Sequence, residues 1–525
     1  MFVGGSMRCV VVAASFALAL VAAGCPGSER IEPRPSIRTI STWLGSDHWG
    51  DDGSVTSLRG PPPGVAVSVL VPDEASQGYR VIPGSVGMDG GVTIPEVPLG
   101  DYLLMVETPY AIQGPSPRTG IDTRVVQFNT SAPPLTRLAS HRADLSRASR
   151  FTPVQLNVTN LDPASERSQL WAGSSAADLD LLLATPAAGA TEYAGEVDWA
   201  GPVVPEPYPV GLPSGGRGDV VHVVQRARLP LPAWPDATRF LLTTRAARTS
   251  DVSIVDGVGG TLAVALAEVP LSRTIQLELA ATAFEALGSS GAPPGLPVAY
   301  SALSAGLYAA PHSVTYPAPS RAFPAAALAE PGPWLRLFYA EAEGPLAPDA
   351  NLGTISYGDL LDDLWVEFLR VYFRQSRRYT HPVTGTSFEG STDVEVSLPR
   401  SEVPAGRIAP ILGPPTSPRI NGKDAWSLQV GVGIAPLLSW GRPSIGQQAA
   451  YEVQIVPADP LDRGVSARLH GTESFRVPPG ILEAGHFYYA IISAVAGPGY
   501  ALDMNPNVAS LPRHRAGCLT ELFSP

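Results

Sequence analysis

Apolar and polar positions alternate over short stretches along most of this chain. Four valines recur at every second position from Val65 to Val71, which is the period of a half-buried β-strand. Residues 91–106 continue as a strand, a proline-rich turn and a second strand. The pattern predicts a first β-sandwich over residues 56–145.

Residues 146–345 contain further short apolar runs with turn residues between them. The runs cover 154–158, 219–224, 240–244, 252–255, 260–266 and 274–279. Short runs at such spacing are typical of all-β sandwiches. We therefore predict a β-rich region of one or two sandwiches, and we find no repeat regular enough for a propeller.

Residues 346–410 fit two patterns. Ser356 and Asp359 have the spacing of a helix-capping box, and six apolar residues between Leu360 and Tyr372 would share one helical face. Read with a period of two, residues 365–380 alternate instead, and their β-branched and aromatic side chains favour a strand. We predict a β-rich connector that contains this strand.

Residues 411–510 hold the most specific pattern in the chain. Trp440 precedes a Gly-Arg-Pro turn, Tyr451 opens an alternating run, and Tyr488 stands six residues after Leu482. The stretch resembles a fibronectin type III domain. The resemblance implies that Trp440 lies in the core on the second strand, that Tyr451 opens the third strand, and that Tyr488 is the tyrosine of the E–F corner.

The first β-region also has a family likeness. The stretch from Gly91 to Tyr102 reads Gly-Val-Thr-Ile-Pro-Glu-Val-Pro-Leu-Gly-Asp-Tyr. It resembles the end of transthyretin-like, carboxypeptidase-regulatory-type β-sandwiches, which are usually non-catalytic. The whole chain is therefore expected to be all-β, with several tandem antiparallel β-sandwiches and a tail over residues 511–525.

The first 25 residues have the pattern of a secretory signal. Arg8 supplies a positive charge, a 14-residue apolar run covers 10–23, and Gly24 precedes Cys25. The run is shorter than the roughly 20 residues of a spanning helix. The ending resembles a bacterial lipobox, which implies removal of residues 1–24 and lipidation of Cys25. We expect an exported lipoprotein anchored in a bacterial membrane, on the periplasmic face or the cell surface, with a flexible tether over 25–55.

Composition agrees with short strands and many turns. The 525 residues include 52 glycines and 55 prolines, about a fifth of the chain. The formal net charge is −12, and −13 without residues 1–24, which hold one arginine and no acid. An acidic chain without a basic cluster is a poor nucleic-acid binder. Lys423 is the single lysine, which excludes most lysine-based mechanisms.

Two acidic groups are weak candidates for calcium, which binds carboxylates that converge from a loop. Asp47, Asp51 and Asp52 lie near two glycines, but the strict Asp-x-Asp-x-Asp-Gly order is absent. The second group is Asp359, Asp362 and Asp363. A solvated acidic turn remains the simpler interpretation of both groups. We expect no cofactor and no histidine-based metal site, because the eight histidines are scattered singly.

Other candidate sites rest on single residues. No Gly-x-Ser-x-Gly motif is present, and Ser387 with the nearby His381 has the pattern of a hairpin loop. Arg217-Gly218-Asp219 spells the tripeptide that some integrins bind, although chance is the simpler explanation. With Cys25 lipidated, Cys518 is left as a free thiol or an intermolecular partner.

Aromatic residues in loops are candidates for stacking on sugars. Trp199, Trp234 and Trp334 lie in loops flanked by proline or glycine. We expect a non-enzymatic, membrane-anchored envelope protein that binds or scaffolds a protein or glycan partner. The alternative is a carbohydrate-active enzyme with its site in residues 146–400 and the fibronectin-like domain as an accessory module. Hydrolysis of a glycosidic bond would need two facing carboxylates in that region.

Overall fold

A computed structural model describes most of the chain from Ile37 to Pro525. The segments outside the description are 1–36, 50–54, 60–64, 74–77, 99–101, 113–117, 129–134, 140–144, 147, 149–150, 164–167, 175–176, 178, 200–210, 235–236, 312–326, 329–334, 345, 347–349, 361–364, 459–462 and 498–508. The described residues form 36 strands and one α-helix, so the prediction of an all-β fold of antiparallel sandwiches is confirmed.

One long sheet of 19 strands passes through the molecule. Its neighbours are, in order, β12 (Leu179–Ala184), β11 (Gln169–Ser174), β14 (Val221–Arg228), β15 (Arg239–Thr249), β21 (Leu335–Glu343), β19 (Val298–Pro311), β23 (Trp365–Thr380), β24 (Ser387–Pro399), β35 (Arg513–Leu519), β33 (Tyr488–Ala496), β30 (Ala450–Pro457), β31 (Arg463–Leu469), β8 (Arg118–Phe128), β7 (Tyr102–Ile112), β3 (Ala66–Asp73) and β4 (Gly78–Pro83). The short strands β17 (Ala267–Glu268), β28 (Gln429–Val430) and β36 (Phe523–Ser524) attach to it. We call this the shared sheet.

Four smaller sheets pack on the shared sheet. They consist of β1 (Ile37–Trp49), β2 (Val55–Arg59), β5 (Ser85–Val86), β6 (Gly91–Pro98) and β9 (Leu135–Ala139); β10 (Pro153–Thr159), β13 (Glu192–Asp198) and β16 (Gly260–Ala265); β18 (Arg273–Leu279), β22 (Ala350–Tyr357) and β25 (Arg407–Ile408); and β26 (Thr416–Ile420), β27 (Lys423–Asp424), β29 (Leu437–Gly441) and β32 (Ser474–Arg476). Each small sheet and the strands that face it form a sandwich, which we number from first to fourth along the chain.

The remaining elements are short. A two-stranded pair joins β20 (Ala327–Leu328) to β34 (Ala509–Ser510), and 3-10 turns cover Gly215–Arg217 and Arg400–Glu402. Helix α1 (Ala281–Ser290) has no side-chain cap and lies against β23, β24 and β35, where Phe284 is fully buried in the core of the third sandwich. Packing therefore stabilises this helix more than capping does.

Each sandwich has its own apolar core. Val154 and Leu170 belong to the second core, Leu277 and Phe373 to the third, and Val453 to the fourth. Strand β35 supplies Ala516 to the third core and Cys518 to the fourth. Because these two residues are two positions apart, both cores lie on the same side of the shared sheet.

Strand β7 serves two cores. Leu104 packs into the first core, whereas Leu103 and Met105 pack into the fourth. The first small sheet therefore covers the opposite side of the shared sheet from the fourth, since successive side chains of a strand point to opposite faces.

The fourth sandwich has the aromatic positions that the sequence predicts. Trp440 is buried on β29 and meets Tyr451 of β30 edge-to-face, with ring centroids 5.3 Å apart. The hydroxyl of the buried Tyr488 accepts a hydrogen bond of 2.9 Å from the backbone N–H of Glu483. A tyrosine corner makes the same kind of bond to the backbone a few residues upstream.

Three expectations about connecting segments need correction or refinement. Residues 511–525 are not a tail, because β35 pairs with both β33 and β24 and is almost wholly buried. Part of the predicted 25–55 tether is β1, which pairs with β6 and β9. The predicted strand over 365–380 is confirmed as β23, which lies inside the shared sheet rather than in a connector.

Within the described residues, no helix has both the length and the apolar composition needed to cross a membrane.

Candidate ligand-binding face

The shared sheet presents a polar side opposite the third core. In β23 the residues Val371 and Phe373 enter that core, so Arg370, Tyr372 and Arg374 point the other way. We call this side, from β11 to β31, the outer face. Its side chains are mainly arginines, aromatic residues, carboxylates and serines, and they fall into two groups.

The first group is a row of alternating guanidinium groups and aromatic rings. Arg226 lies over the ring of Trp171, with its guanidinium carbon 4.3 Å from the ring centroid. Arg336 lies 5.7 Å from the same ring and 5.2 Å from that of Tyr339. Arg239 is 5.3 Å from the Tyr339 ring. We call these five residues the arginine–aromatic row.

Strand register places the row on four neighbouring strands. Gln169, two residues before Trp171 on β11, pairs with Arg226 of β14. Arg336 of β21 pairs with Tyr308 of β19, and the register shifts by one residue just before this pair. Such a bulge re-aims the side chains beside it. Arg336 thus also lies 5.9 Å from the ring of Tyr308.

Aromatic packing fixes one side of the row. Tyr308 stacks on Phe368 of β23 at 5.5 Å, and both rings are buried together with Leu511. Trp171, Arg336 and Tyr339 remain partly exposed. The row therefore has a buried support and an accessible edge.

Charge is distributed unevenly along the row. Arg239 of β15 forms an ion pair with Glu341, which lies directly opposite it on β21. Burial, reinforced by the Glu341 charge, raises the pKa of Tyr339 to about 12, so this phenol is neutral at ordinary pH. Glu341 therefore compensates Arg239, whereas no described carboxylate contacts Arg336.

The second group is an ion-pair network where the third and fourth sandwiches meet. Arg370 donates to the Glu395 carboxylate at 2.7 Å and lies 4.7 Å from the ring of Tyr372. Ser397 donates to the other oxygen of Glu395 at 2.7 Å. Both oxygens of this nearly buried carboxylate therefore accept hydrogen bonds, one from β23 and one from β24.

Arg515 of β35 connects the network to the fourth sandwich. It donates to Asp393 at 2.9 Å, and its Nε lies 3.5 Å from Glu452 of β30. Arg468 of β31 lies 3.6 Å from the same Glu452 carboxylate. Burial alone would lower the pKa of Arg515, but the carboxylates around it outweigh burial and raise that pKa.

The pKa values of Asp393, a member of the network, and of its neighbour Arg513 respond mainly to burial. The pKa of Asp393 is raised by desolvation, although Arg515 opposes that rise. The pKa of Arg513 falls to about 9 because it is buried beside Arg515. The network therefore keeps its charges only through close pairing across β23, β24, β35 and β30.

The calcium candidates are not brought together in the part of the chain that the structure describes. Asp51, Asp52, Asp362 and Asp363 lie outside the described residues, and of Asp47 only its place in β1 is described. Asp359 pairs with Arg273, which also binds Glu367 at 2.8 Å. Across the described segments, no three His, Cys, Asp or Glu side chains are grouped so as to hold a metal.

The prediction of an exposed, sugar-stacking ring is wrong for two of the three tryptophans. Trp199 is fully buried, and its indole N–H donates to the Gly211 carbonyl at 2.9 Å. Trp234 packs into the third core. Trp334 lies outside the described residues.

The loop motifs have structural roles. Asp219, the acid of the Arg-Gly-Asp stretch, is buried and accepts a bond of 2.7 Å from the Ser214 N–H. His381 is buried, and its Nδ1 accepts bonds from the N–H groups of Val383 and Thr384. The hairpin prediction at this position agrees with β23 and β24, which pair directly on either side of it.

The two cysteines of interest differ. Cys25 lies outside the described residues, so its lipidation stays a prediction. Cys518 is fully buried, and burial raises the pKa of its thiol to about 12. It is a free thiol enclosed by the fourth core, and an intermolecular disulfide would require that core to open.

Sequence reasoning missed both groups on the outer face. Their residues lie on many strands and are far apart along the chain, so no local motif joins them. One signal was present: the polar positions of β23 read Arg370, Tyr372 and Arg374. Alternation identified the strand, but not what its polar side contacts. No protein-family model matches the chain, and no curated protein matches it.

Proposed function

We propose that this chain is an exported, lipid-anchored envelope protein that acts without catalysis as a binding scaffold for a glycan or protein partner. Cys25 provides the anchor, and the sandwiches carry the binding surface. We further propose that residues 411–525 are a fibronectin type III-like module and that the first sandwich is transthyretin-like. Fold analogy alone is weak support for function, so the proposal depends on the shared sheet.

The continuous sheet is the observation that carries the scaffold role. Tandem domains are usually joined by linkers and move relative to one another. Here β24 pairs with β35 over four residue pairs, and β31 pairs with β8 over six. Main-chain hydrogen bonds therefore replace linkers at these two junctions. Such an arrangement suits a rigid support that presents one broad face.

The carboxylates of the outer face also favour binding over hydrolysis. A glycosidase needs one carboxyl group as a proton donor and a second as a nucleophile or base. Glu341, Asp393 and Glu395 are each held by an arginine. Each of these carboxylates already contacts a guanidinium, whereas a glycosidase directs its two carboxyl groups at the sugar.

The alternative, a carbohydrate-active enzyme with its site in 146–400, draws on one observation. Asp393 lies on the outer face of β24 and has a raised pKa, which is a property of general acids. Asp393→Asn would abolish hydrolysis of a glycan substrate if this residue were catalytic. Hydrolysis that is lost in this variant but retained in Arg419→Gln would favour the enzyme.

The anchor is tested by cell fractionation of three forms of the full chain. We expect the wild type and Cys9→Ser to sediment with membranes and to be released by detergent, because Cys9 lies in the removed leader. We expect Cys25→Ser to be soluble or to remain unprocessed. A Cys25→Ser chain that is correctly cleaved and still membrane-bound would contradict the anchor.

The partner class is tested on a glycan array with the full chain in detergent. Binding to a defined set of glycans supports the glycan branch of the proposal. If the chain binds no glycan on the array, the glycan branch is excluded. Cross-linking in envelope preparations then tests for a protein partner.

A further inference from the structure

Arg336 differs from four other arginines around the third core. Arg239, Arg273, Arg370 and Arg515 each pair with a carboxylate. The guanidinium of Arg336 instead lies within 5.9 Å of three rings, those of Trp171, Tyr308 and Tyr339. Among the described residues it contacts no carboxylate.

Stacking leaves the hydrogen-bonding edge of a guanidinium available. Its five N–H groups lie in the plane of the group, and an aromatic ring does not satisfy them as a carboxylate does. Arg336 is partly exposed, so a ligand can reach this residue from solvent. Cation–π contacts hold the side chain in place, which lowers the entropy lost when an anion binds.

The charge around Arg336 favours an anion. Arg239 shares the ring of Tyr339 with it and is itself paired with Glu341, whereas no described carboxylate contacts Arg336. The guanidinium of Arg336 thus carries a positive charge that is left for an anion, in a chain of net charge −12. Carboxylate and sulfate groups match the paired N–H groups of arginine.

The rest of the chemistry favours a saccharide. Trp171 and Tyr339 present partly exposed aromatic edges between the guanidinium groups, which suits a ligand with both apolar C–H surface and well-separated acidic groups. Nucleic acid carries about one charge per 1.7 Å of duplex, and a strongly acidic chain repels so dense an anion.

We propose that the arginine–aromatic row binds an acidic polysaccharide, with Arg336 as its central contact to a carboxylate or sulfate group. This inference rests on the proposed function, because it names the ligand class of the binding scaffold. The site spans the second and third sandwiches, so it exists only when β14, β15 and β21 pair in the shared sheet.

Binding of the full chain in detergent to four probes tests the proposal. The probes are polygalacturonate, which carries carboxylates; dextran sulfate, which carries sulfates; unmodified dextran, which is neutral; and duplex DNA. The variants are Arg336→Gln, which removes the charge, and Arg336→Lys, which keeps the charge but loses the planar group. Arg419→Gln removes an exposed arginine of the fourth sandwich and is the matched control.

We expect the wild type and Arg419→Gln to bind one or both acidic polysaccharides, and neutral dextran and DNA at least about tenfold more weakly. Arg336→Gln should weaken binding by about tenfold or more, as loss of a charge-assisted contact implies. Arg336→Lys should bind more weakly than the wild type, because an ammonium cannot stack and bind in the same way. Unchanged thermal unfolding shows that the variants are folded.

Three results would overturn the proposal. They are equal binding by the wild type and a folded Arg336→Gln variant, preference for DNA, and no binding to either acidic polysaccharide. Binding of other glycans on the array that does not depend on Arg336 would overturn this inference alone. Silence on all glycans would remove the glycan branch of the proposed function as well.

Discussion

The Arg515 side chain donates to the Asp393 carboxylate at 2.9 Å, across the line where β35 of the fourth sandwich meets β24 of the third. The same guanidinium reaches Glu452 on β30. One side chain therefore links strands that are far apart in sequence, at a junction made otherwise of backbone hydrogen bonds. The junction holds buried charge that is compensated only when both sandwiches are in place.

Replacing Arg515 should destabilise the protein strongly. Arg515→Met leaves Asp393 and Glu452 without their shared cation in a largely buried place, and breaking such a pair costs about 3–5 kcal/mol. Urea unfolding monitored by tryptophan fluorescence measures the change in the free energy of unfolding.

The matched control is Arg442→Met. Arg442 pairs with Glu473 on an exposed edge, where ion pairs contribute little. We expect its unfolding curve to overlay that of the wild type. An Arg515→Met chain as stable as this control would show that the junction does not depend on the ion pair.

The hydroxyl of Tyr488 should stabilise the fourth sandwich. Tyr488→Phe removes the acceptor for the Glu483 N–H, and loss of one such hydrogen bond should cost about 0.5–1.5 kcal/mol of unfolding free energy. Tyr489→Phe is the control, because the buried Tyr489 ring stacks on Tyr379 while its hydroxyl has no hydrogen bond to a described residue. Equal losses of unfolding free energy in the two variants would contradict a specific role for the Tyr488 hydroxyl.

The Cys518 thiol should be unreactive until the protein unfolds. Burial raises its pKa from 9.0 to about 12, so little thiolate forms at pH 8. A maleimide reagent should label the folded Cys25→Ser chain slowly at this position and label it rapidly in urea. Rapid labelling without denaturant would contradict the burial of Cys518.

The same thiol gives stability a dependence on alkaline pH. In the unfolded chain the thiol ionises near pH 9.0, and in the folded chain only near pH 12. The unfolded state therefore loses its proton first, and stability falls as pH rises from 9 towards 12. The fall in stability with pH should be shallower in Cys518→Ala. An identical slope of unfolding free energy against pH would exclude a contribution from this thiol.

Local pattern was sufficient for the strands and for the aromatic residues of the fourth sandwich. Alternation predicts β23, and the resemblance to a fibronectin type III domain implies the roles of Trp440, Tyr451 and Tyr488, each of which acts within one sandwich. The pairing partner of a strand could not be predicted from local pattern. Nothing within residues 511–525 indicates that β35 pairs with β24, more than 100 residues earlier in the chain.

Surface features were the least predictable part. Trp199 lies among prolines and glycines, as an exposed loop residue would, yet its indole bonds to Gly211 in the second core. The arginine–aromatic row needs four strands in register and a bulge before Arg336. Such features depend on long-range pairing, which a single sequence does not report.

The envelope location in the proposed function depends on anchoring through Cys25, and mass spectrometry of the N-terminal peptide of the full chain purified from membranes tests it most directly. We predict a peptide that begins at Cys25 and carries the mass of a diacylglycerol group with an added acyl chain. Such lipids would give stable anchoring, since a single chain binds membranes only marginally. A peptide that retains residues from 1–24, or one that begins elsewhere without lipid, would contradict the account.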